Sequence, residues 1–323
     1  MIQSICKDGG KMEEIKKNIK ISIIIIILIL LLLLFLFLFN YLRINIFYIA
    51  NKDKYIEVLD VQGNTNDYVP QGLFYQEKYN IVLQTSYNKN KKPSMLFVTD
   101  FKSKKVLKEY ILLESDGKES FKHVGGVAAN DEYVFITSDY EVMTYSLEEI
   151  MNSKDKHIKA LRNDSLPNRG DFVTYKDGFL WIGDFFLKPF YNVKEDKPLL
   201  FGYNINRLDF NNPEIAILLP KMVQGMTFTK DNKIILSSSF TYLINSKINI
   251  YKNPFKENHS YYEINNKKIP LYNLKKEKSL SFPPMTEGIF YKDDYLYILF
   301  ENSTNAYPLA SPKINKIIKY KLK

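Results

Sequence analysis

The chain has 323 residues, 46% hydrophobic, 25% charged and 15% aromatic, with a formal net charge of +9. Its 24 Tyr and 22 Phe supply far more buriable surface than a disordered chain carries, so intrinsic disorder is excluded. Cys6 is the single cysteine and there are three histidines, which excludes a disulfide framework and cysteine-based zinc and leaves little for a histidine metal centre.

The first predicted element is a helix over 21–39, ISIIIIILILLLLLFLFLF, in which Ser22 is the only polar residue. Such a helix spans roughly 28 Å, close to the ~30 Å hydrocarbon thickness of a bilayer. A cleaved signal peptide has an apolar run of only about 7–15 residues and ends in a small-residue site. Here the run is longer and Asn40-Tyr41-Leu42-Arg43 follows, so the segment reads as an uncleaved signal anchor. No lipidation cysteine follows it. Lys7, Lys11, Lys16, Lys17 and Lys20 precede it, against Arg43, Lys52 and Lys54 after it. That asymmetry places the N-terminus inside and the rest of the chain outside a cell membrane. A start at Met12 would weaken it. The predicted organisation is therefore a short cytoplasmic segment 1–20, the anchor 21–39 in contact with lipid, a linker 40–54 and an exported domain 55–323.

The remaining cations are scattered, as in Lys89, Lys91 and Lys92 or Lys275, Lys276 and Lys278. They read as a solvated lysine surface, with weak attraction to an anionic wall or membrane as the alternative. A nucleic-acid partner would need a basic stripe with stacking aromatics on one face, and none is seen.

From residue 71 onward one pattern recurs in five segments: QGLFYQEKYNIVLQTS, GGVAANDEYVFITSD, DFVTYKDGFLWIGDF, QGMTFTKDNKIILSSS and EGIFYKDDYLYILFEN. Each opens on Gly or, in the third, Phe172, and seven residues later an alternating apolar run begins. Tight-turn residues between the halves, such as Lys176-Asp177-Gly178, make each unit a β-hairpin. Two further strands follow each hairpin: 95–99 and 106–113, 142–146 and 158–161, 199–203 and 214–219, 248–251 and 269–274. The last unit offers only 314–320. The stretch 55–61 supplies its missing fourth strand and closes the ring, removing an open sheet edge.

Four-stranded units repeated in this way make an all-β protein, a β-propeller. The openings Gly72, Gly126, Phe172, Gly225 and Gly288 lie 54, 46, 53 and 63 residues apart. Five blades follow, with six as the alternative if the long fourth unit hides a degenerate one.

In a propeller the first strand of each blade lines the central channel. The residue before each opening then lies at one mouth: Gln71, Gly125, Asp171, Gln224 and Glu287, with His123 two residues ahead of Gly125. The ends of the second strands supply another ring: Thr85, Asp139, Asp184, Ser238 and Glu301. Convergent polar groups of this kind make a ligand site, and the same groups can equally serve to satisfy neighbouring backbone. Asp171 and Glu287, with the glutamines, would suit Ca²⁺. The same two carboxylates could act as acid and base in glycoside chemistry. A triad from Ser238, His123 and Asp171 lacks the G-x-S-x-G elbow. His157 and His259 read as surface residues and Trp181 as core. Phe185, Phe186, Phe190, Tyr191, Tyr242 and Tyr307 fall in loops around the mouth.

The ordered set VPQGLFY, HVGGVA, LWIGDF, PLLFGY, VQGMTF and PPMTEGIFY resembles a family of bacterial secreted or membrane-anchored propeller proteins with no assigned activity. At fold level it is similar to quinoprotein/YVTN-type and gluconolactonase–regucalcin-type propellers. The latter resemblance implies a divalent ion held in the channel by carboxylates. Glutamines at two mouth positions and Gly125 at a third depart from that pattern. The expected role is an exported, membrane-anchored module that binds a ligand or protein. A hydrolase or lyase of wall carbohydrate or a lactone is the alternative.

Overall fold

The computed structural model describes residues 2–64, 67–187 and 197–322, with side chains from Glu14 onward. Within these, five sheets are arranged as the blades of a propeller behind one long N-terminal helix.

Each blade starts from a hairpin that its turn residues dictate. Asp177 and Gly178 both adopt positive φ between the paired Lys176 and Phe179, as do Asp293 and Asp294 between Lys292 and Tyr295. Two residues in that conformation match the natural twist of the strands, which is why Asp and Gly stand there. The first blade is Tyr68–Gln76, Ile81–Asn88, Met95–Asp100 and Val106–Leu113. The second runs Gly126–Ala129, Tyr133–Ser138, Glu141–Ser146 and Arg162–Ser165, and the third Phe172–Lys176, Phe179–Gly183, Leu199–Asn204 and Ile215–Leu218. The fourth is Val223–Phe228, Ile234–Ser238, Ser246–Tyr251 and Lys276–Phe282. The fifth consists of Thr286–Lys292, Tyr295–Phe300 and Lys316–Lys321, completed by Ile56–Asp60, which pairs antiparallel with its last strand. The ends therefore join as the sequence predicts, and five blades fill the ring.

Two outer strands differ from expectation. The sequence predicts 158–161 as the outer edge of the second blade, but His157–Lys159 crosses over and pairs in parallel with Val106–Leu113 of the first. The strand that completes the second blade is the polar Arg162–Ser165. In the same way 269–274 belongs to a hairpin, Ser260–Ile264 with Lys267–Asn273, that extends the third blade, and Lys276–Phe282 completes the fourth. The long fourth unit is thus a strap over its neighbour rather than a sixth blade. Both crossings cover an otherwise open outer edge.

Alternating residues of each strand face opposite neighbours, so the core is five apolar layers, one per seam. Val127, Ile136 and Met143 pack on the first blade, whereas Ala128, Phe135 and Val142 pack on the third. Leu73 and Val82 meet Phe290, Leu299 and Leu59 at the closing seam. Trp181 lies in the layer between the third and fourth blades, 5.6 Å from Phe228 between ring centroids.

At the axis the inner strands touch backbone to backbone. A Cβ on Gly126 would fall 2.5 Å from the Val173 nitrogen, and one on Gly288 would fall 2.4 Å from that of Leu73. The third blade carries Phe172 in the same phase, and its ring occupies the space beside Gly183, where a Cβ would stand 2.2 Å from it.

The helix runs without interruption over Ile2–Asn51, so most of the expected linker is helical. One apolar helix here is long enough to cross a membrane, a property shared by anchors and signal sequences, and its apolar run is unburied. Its C-terminal end docks on the propeller. Ile44 is 1% exposed, Ser311 Oγ donates to Asn45 Oδ1 at 2.8 Å, and Tyr48 stacks on Tyr55 at 6.0 Å. Tyr48 joins the apolar layer between the fourth and fifth blades.

Candidate functional site

Three of the inner strands begin with a bulge, and the bulges set the site. Pro70 pairs with Ser86 and Leu73 with Gln84, leaving Gln71 and Gly72 opposite Thr85 alone. Thr286 and Ile289 pair with Phe300 and Ile298, leaving Glu287 and Gly288 opposite Leu299. Gln224 is the extra residue between Val223 and Gly225. A bulge frees a residue from the ladder and re-aims its side chain. Gln71, Gln224 and Glu287 are the residues so released.

Glu287 and Glu301 form the centre of this mouth. They are 1% and 9% exposed and hydrogen-bonded to each other. Two carboxyls in contact hold one proton between them, since burial and mutual repulsion both disfavour a second charge. Burial, followed by the neighbouring Glu301, pushes Glu287 well above the ordinary carboxylate range. Burial raises Glu301 to about 7, against the pull of Tyr307, Lys89 and Gln71. Gln71 Nε2 donates to Glu301 Oε2 at 3.2 Å and to the Pro70 carbonyl at 2.9 Å. Glu287 Oε1 is buried and has no hydrogen-bond partner among the described residues.

A second cluster gathers around Asp171. Arg169 Nε lies 3.1 Å from Asp171 Oδ1 and its terminal nitrogen 3.6 Å from Asp139 Oδ1. The Phe185 amide donates to Asp171 Oδ2 at 2.7 Å. Burial nevertheless outweighs these partners and raises Asp171 to about 6. Asp184 Oδ1 accepts from the Arg169 and Gly170 amides at 2.8 and 3.2 Å, holding the loop that carries Arg169.

His123 stands in a recess between the clusters. Its side chain is open to solvent yet crowded by protein, with the Tyr87 ring 4.1 Å away. Dehydration in that recess lowers its pKa to about 4, Asp139 opposing and Arg169 assisting, so the imidazole is neutral at ordinary pH. The Ser238–His123–Asp171 triad has no support in these contacts, because Ser238 Oγ is buried without a hydrogen-bond partner among the described residues.

The sequence-predicted rings therefore divide. Gln71, Glu287 and Glu301 meet directly, and Asp171, Asp139 and Asp184 meet through Arg169 and its loop. Thr85 and the second-strand hydroxyl Ser237 stitch blades together instead. Thr85 Oγ1 accepts from the Gly72 amide and donates to the Val124 carbonyl, while Ser237 Oγ donates to the Glu287 carbonyl at 2.7 Å. Phe185 and Phe186 are buried, and Phe190 and Tyr191 lie outside the described residues.

Arg169, Tyr87 and Lys89 were not anticipated. Tyr307 hydrogen-bonds Glu301 and Tyr87, and Lys89 Nζ sits 3.8 Å from the Tyr307 ring centroid. One signal was available: only four of the 45 cationic residues are arginines, and Arg169 stands two residues before Asp171.

Asp171 and Glu287, the carboxylates named for Ca²⁺, lie close enough for the charge of one to raise the other. Asp171 is engaged by a guanidinium, Glu287 by a carboxyl, and no group of three or more His, Cys, Asp or Glu able to hold a metal occurs among the described residues.

A cavity of ≈ 390 Å³ lies at the opposite end of the axis, lined by Phe74, Thr174, Thr227 and Phe290 and by the hairpin turns. Several of its polar groups are paired with each other, as in Gln76 with Asp131 at 3.2 Å and Lys292 with Asp293 at 3.2 Å.

No protein-family model matches the chain, and no curated protein matches it in sequence. Among solved structures it is similar to the glutaminyl cyclase of Myxococcus xanthus, at 8% identity over 80% of this chain and 94% of that one, with a TM-score of 0.46. It is also similar to the PQQ-bound aldose sugar dehydrogenase of Streptomyces coelicolor, at 12% identity over 83% and 96%, TM-score 0.46. A luciferin-regenerating enzyme gives 8% identity over 78% and 90%, TM-score 0.41. No residue role is carried over from these likenesses, and the fold rests on the strand pairing itself.

Proposed function

We propose that the chain is a membrane-tethered, extracytoplasmic binding module whose channel mouth receives the amine group of a small ligand. The observation that carries this reading is the buried Glu287–Glu301 pair, with Glu287 Oε1 left without a hydrogen-bond partner among the described residues. A buried acceptor in that state costs free energy unless a donor arrives. Asp139, Asp171 and Asp184 surround Arg169 within the mouth, and this acidic lining favours a cationic donor. The face of Tyr307 receives the Lys89 ammonium at 3.8 Å, so the mouth already accommodates one cationic amine.

The test is a thermal-shift series on the detergent-solubilised full chain against amines, polyols and carboxylates, with Glu301→Gln alongside. Selective stabilisation by amines that is lost in Glu301→Gln is expected. Equal response to all three classes, or to none, would overturn the reading.

The shared proton supports a second reading, acid–base chemistry on wall carbohydrate or a lactone. Turnover of glycosides or lactones that disappears in Glu287→Gln would establish it.

A further inference from the structure

We infer that the propeller rests mouth-down on the bilayer, with the tips of Phe240, Ile244 and Leu309 in the membrane surface and Lys91 and Lys92 on anionic headgroups. This rests on the anchor reading of 21–39 and adds the face that meets lipid.

Strand directions fix the geometry. Every second strand runs away from its hairpin turn and ends at the mouth, so the loops following Ser238 and Phe300 both lie at that end. Phe240 and Ile244 occupy the first loop and Leu309 the second, at 50%, 56% and 58% exposure. Lys89, Lys91 and Lys92 occupy the equivalent exposed loop of the first blade, and the Lys89–Tyr307 contact joins that loop to Leu309's.

The helix arrives from the same side. Asn45 is bonded to Ser311 in the mouth-end loop, whereas Tyr48 lies against Tyr55, at the far end of the closing strand Ile56–Asp60. Going back along the helix from Asn45 therefore leads out past the mouth, toward the apolar run. Phe39, the last residue of that run, precedes Asn45 by six residues, about 9 Å of helix. The headgroup layer is about 5–8 Å deep on each side of the hydrocarbon. The Ser311 loop thus lies at the outer margin of the headgroup layer, and the exposed Leu309, two residues before it, is within a side chain's reach of that layer. Apolar tips beside basic residues are the composition that binds this layer.

The experiment places a fluorophore at single cysteines in a Cys6→Ser background of the full chain, in phosphatidylglycerol–phosphatidylcholine nanodiscs. Quenching by lipids with chain-borne nitroxides is read at Leu309→Cys, Ile244→Cys, Lys230→Cys in a hairpin turn at the opposite end, and Leu33→Cys within the apolar run. Quenching at 309 and 244 about twofold or more above that at 230 is expected. Quenching at 33 with 309 and 244 no different from 230 would overturn the mouth-down placement and leave the anchor standing. An unquenched 33 would remove the anchor reading and this inference with it. A blue-shifted but unquenched label at 309 would assign the patch to protein contact, against the proposal.

Discussion

Glu287 hydrogen-bonds Glu301 across the bulged start of the fifth blade, two buried carboxyls in one contact. Stability should therefore fall as pH rises. The folded state keeps Glu301 protonated to about 7, above its ordinary value of 4.5, so it binds more protons than the unfolded chain between those limits. Stabilisation is complete below the unfolded value and is lost as pH climbs through the folded one. The melting temperature of the solubilised protein should drop by on the order of 5 °C from acid to slightly alkaline buffer. Glu301→Gln should flatten the slope. An unchanged slope would mean the pair does not share a proton.

Arg169 holds Asp171 at 3.1 Å, and its removal should matter most at alkaline pH. Arg169→Ala leaves a buried carboxylate with weakened compensation, at a cost of about 2–3 kcal/mol when it is charged. Asp171 is raised by burial to about 6, so acid neutralises it and the penalty should shrink. Urea unfolding of both proteins at acid and alkaline pH measures the difference.

Gly183 and Phe172 are complementary, the glycine making room for the ring. Gly183→Ala should cost about 1–3 kcal/mol by overpacking. Adding Phe172→Leu should return part of that loss, because the clash is with the ring. A double variant no better than the single one would place the strain in the backbone instead.

Chelation provides a fourth check. With Asp171 committed to Arg169 and the Phe185 amide, EDTA and added Ca²⁺ are expected to leave the melting temperature unchanged. A rise with Ca²⁺ that vanishes in Glu287→Gln would instead restore an ion to the mouth.

The hairpins, the blade number and the closing strand were legible because turn chemistry and period-two alternation are local properties that repeat in phase. The outer strands of the second and fourth blades were not. His157–Lys159 and Lys267–Asn273 include the buried Ile158 and Ile269 expected of an outer strand, while Arg162–Ser165 and Lys276–Phe282 are largely polar. Alternation reports burial on one side and does not say which sheet supplies the partner. The mouth positions Gln71, Glu287 and Glu301 followed from phase alone. Arg169, Tyr87 and Lys89 did not, because their roles depend on how far a loop from one blade reaches over another.

The strand that completes the fifth blade is the direct continuation of the helix and is synthesised ahead of every other strand of the propeller, while its partner Lys316–Lys321 follows all the others. The earliest strand must therefore wait, its edge unsealed, until the strands of the other blades have been made. Ring closure then has to follow the making of Lys316–Lys321, and a chain cut short before Lys316 would remain permanently unlatched.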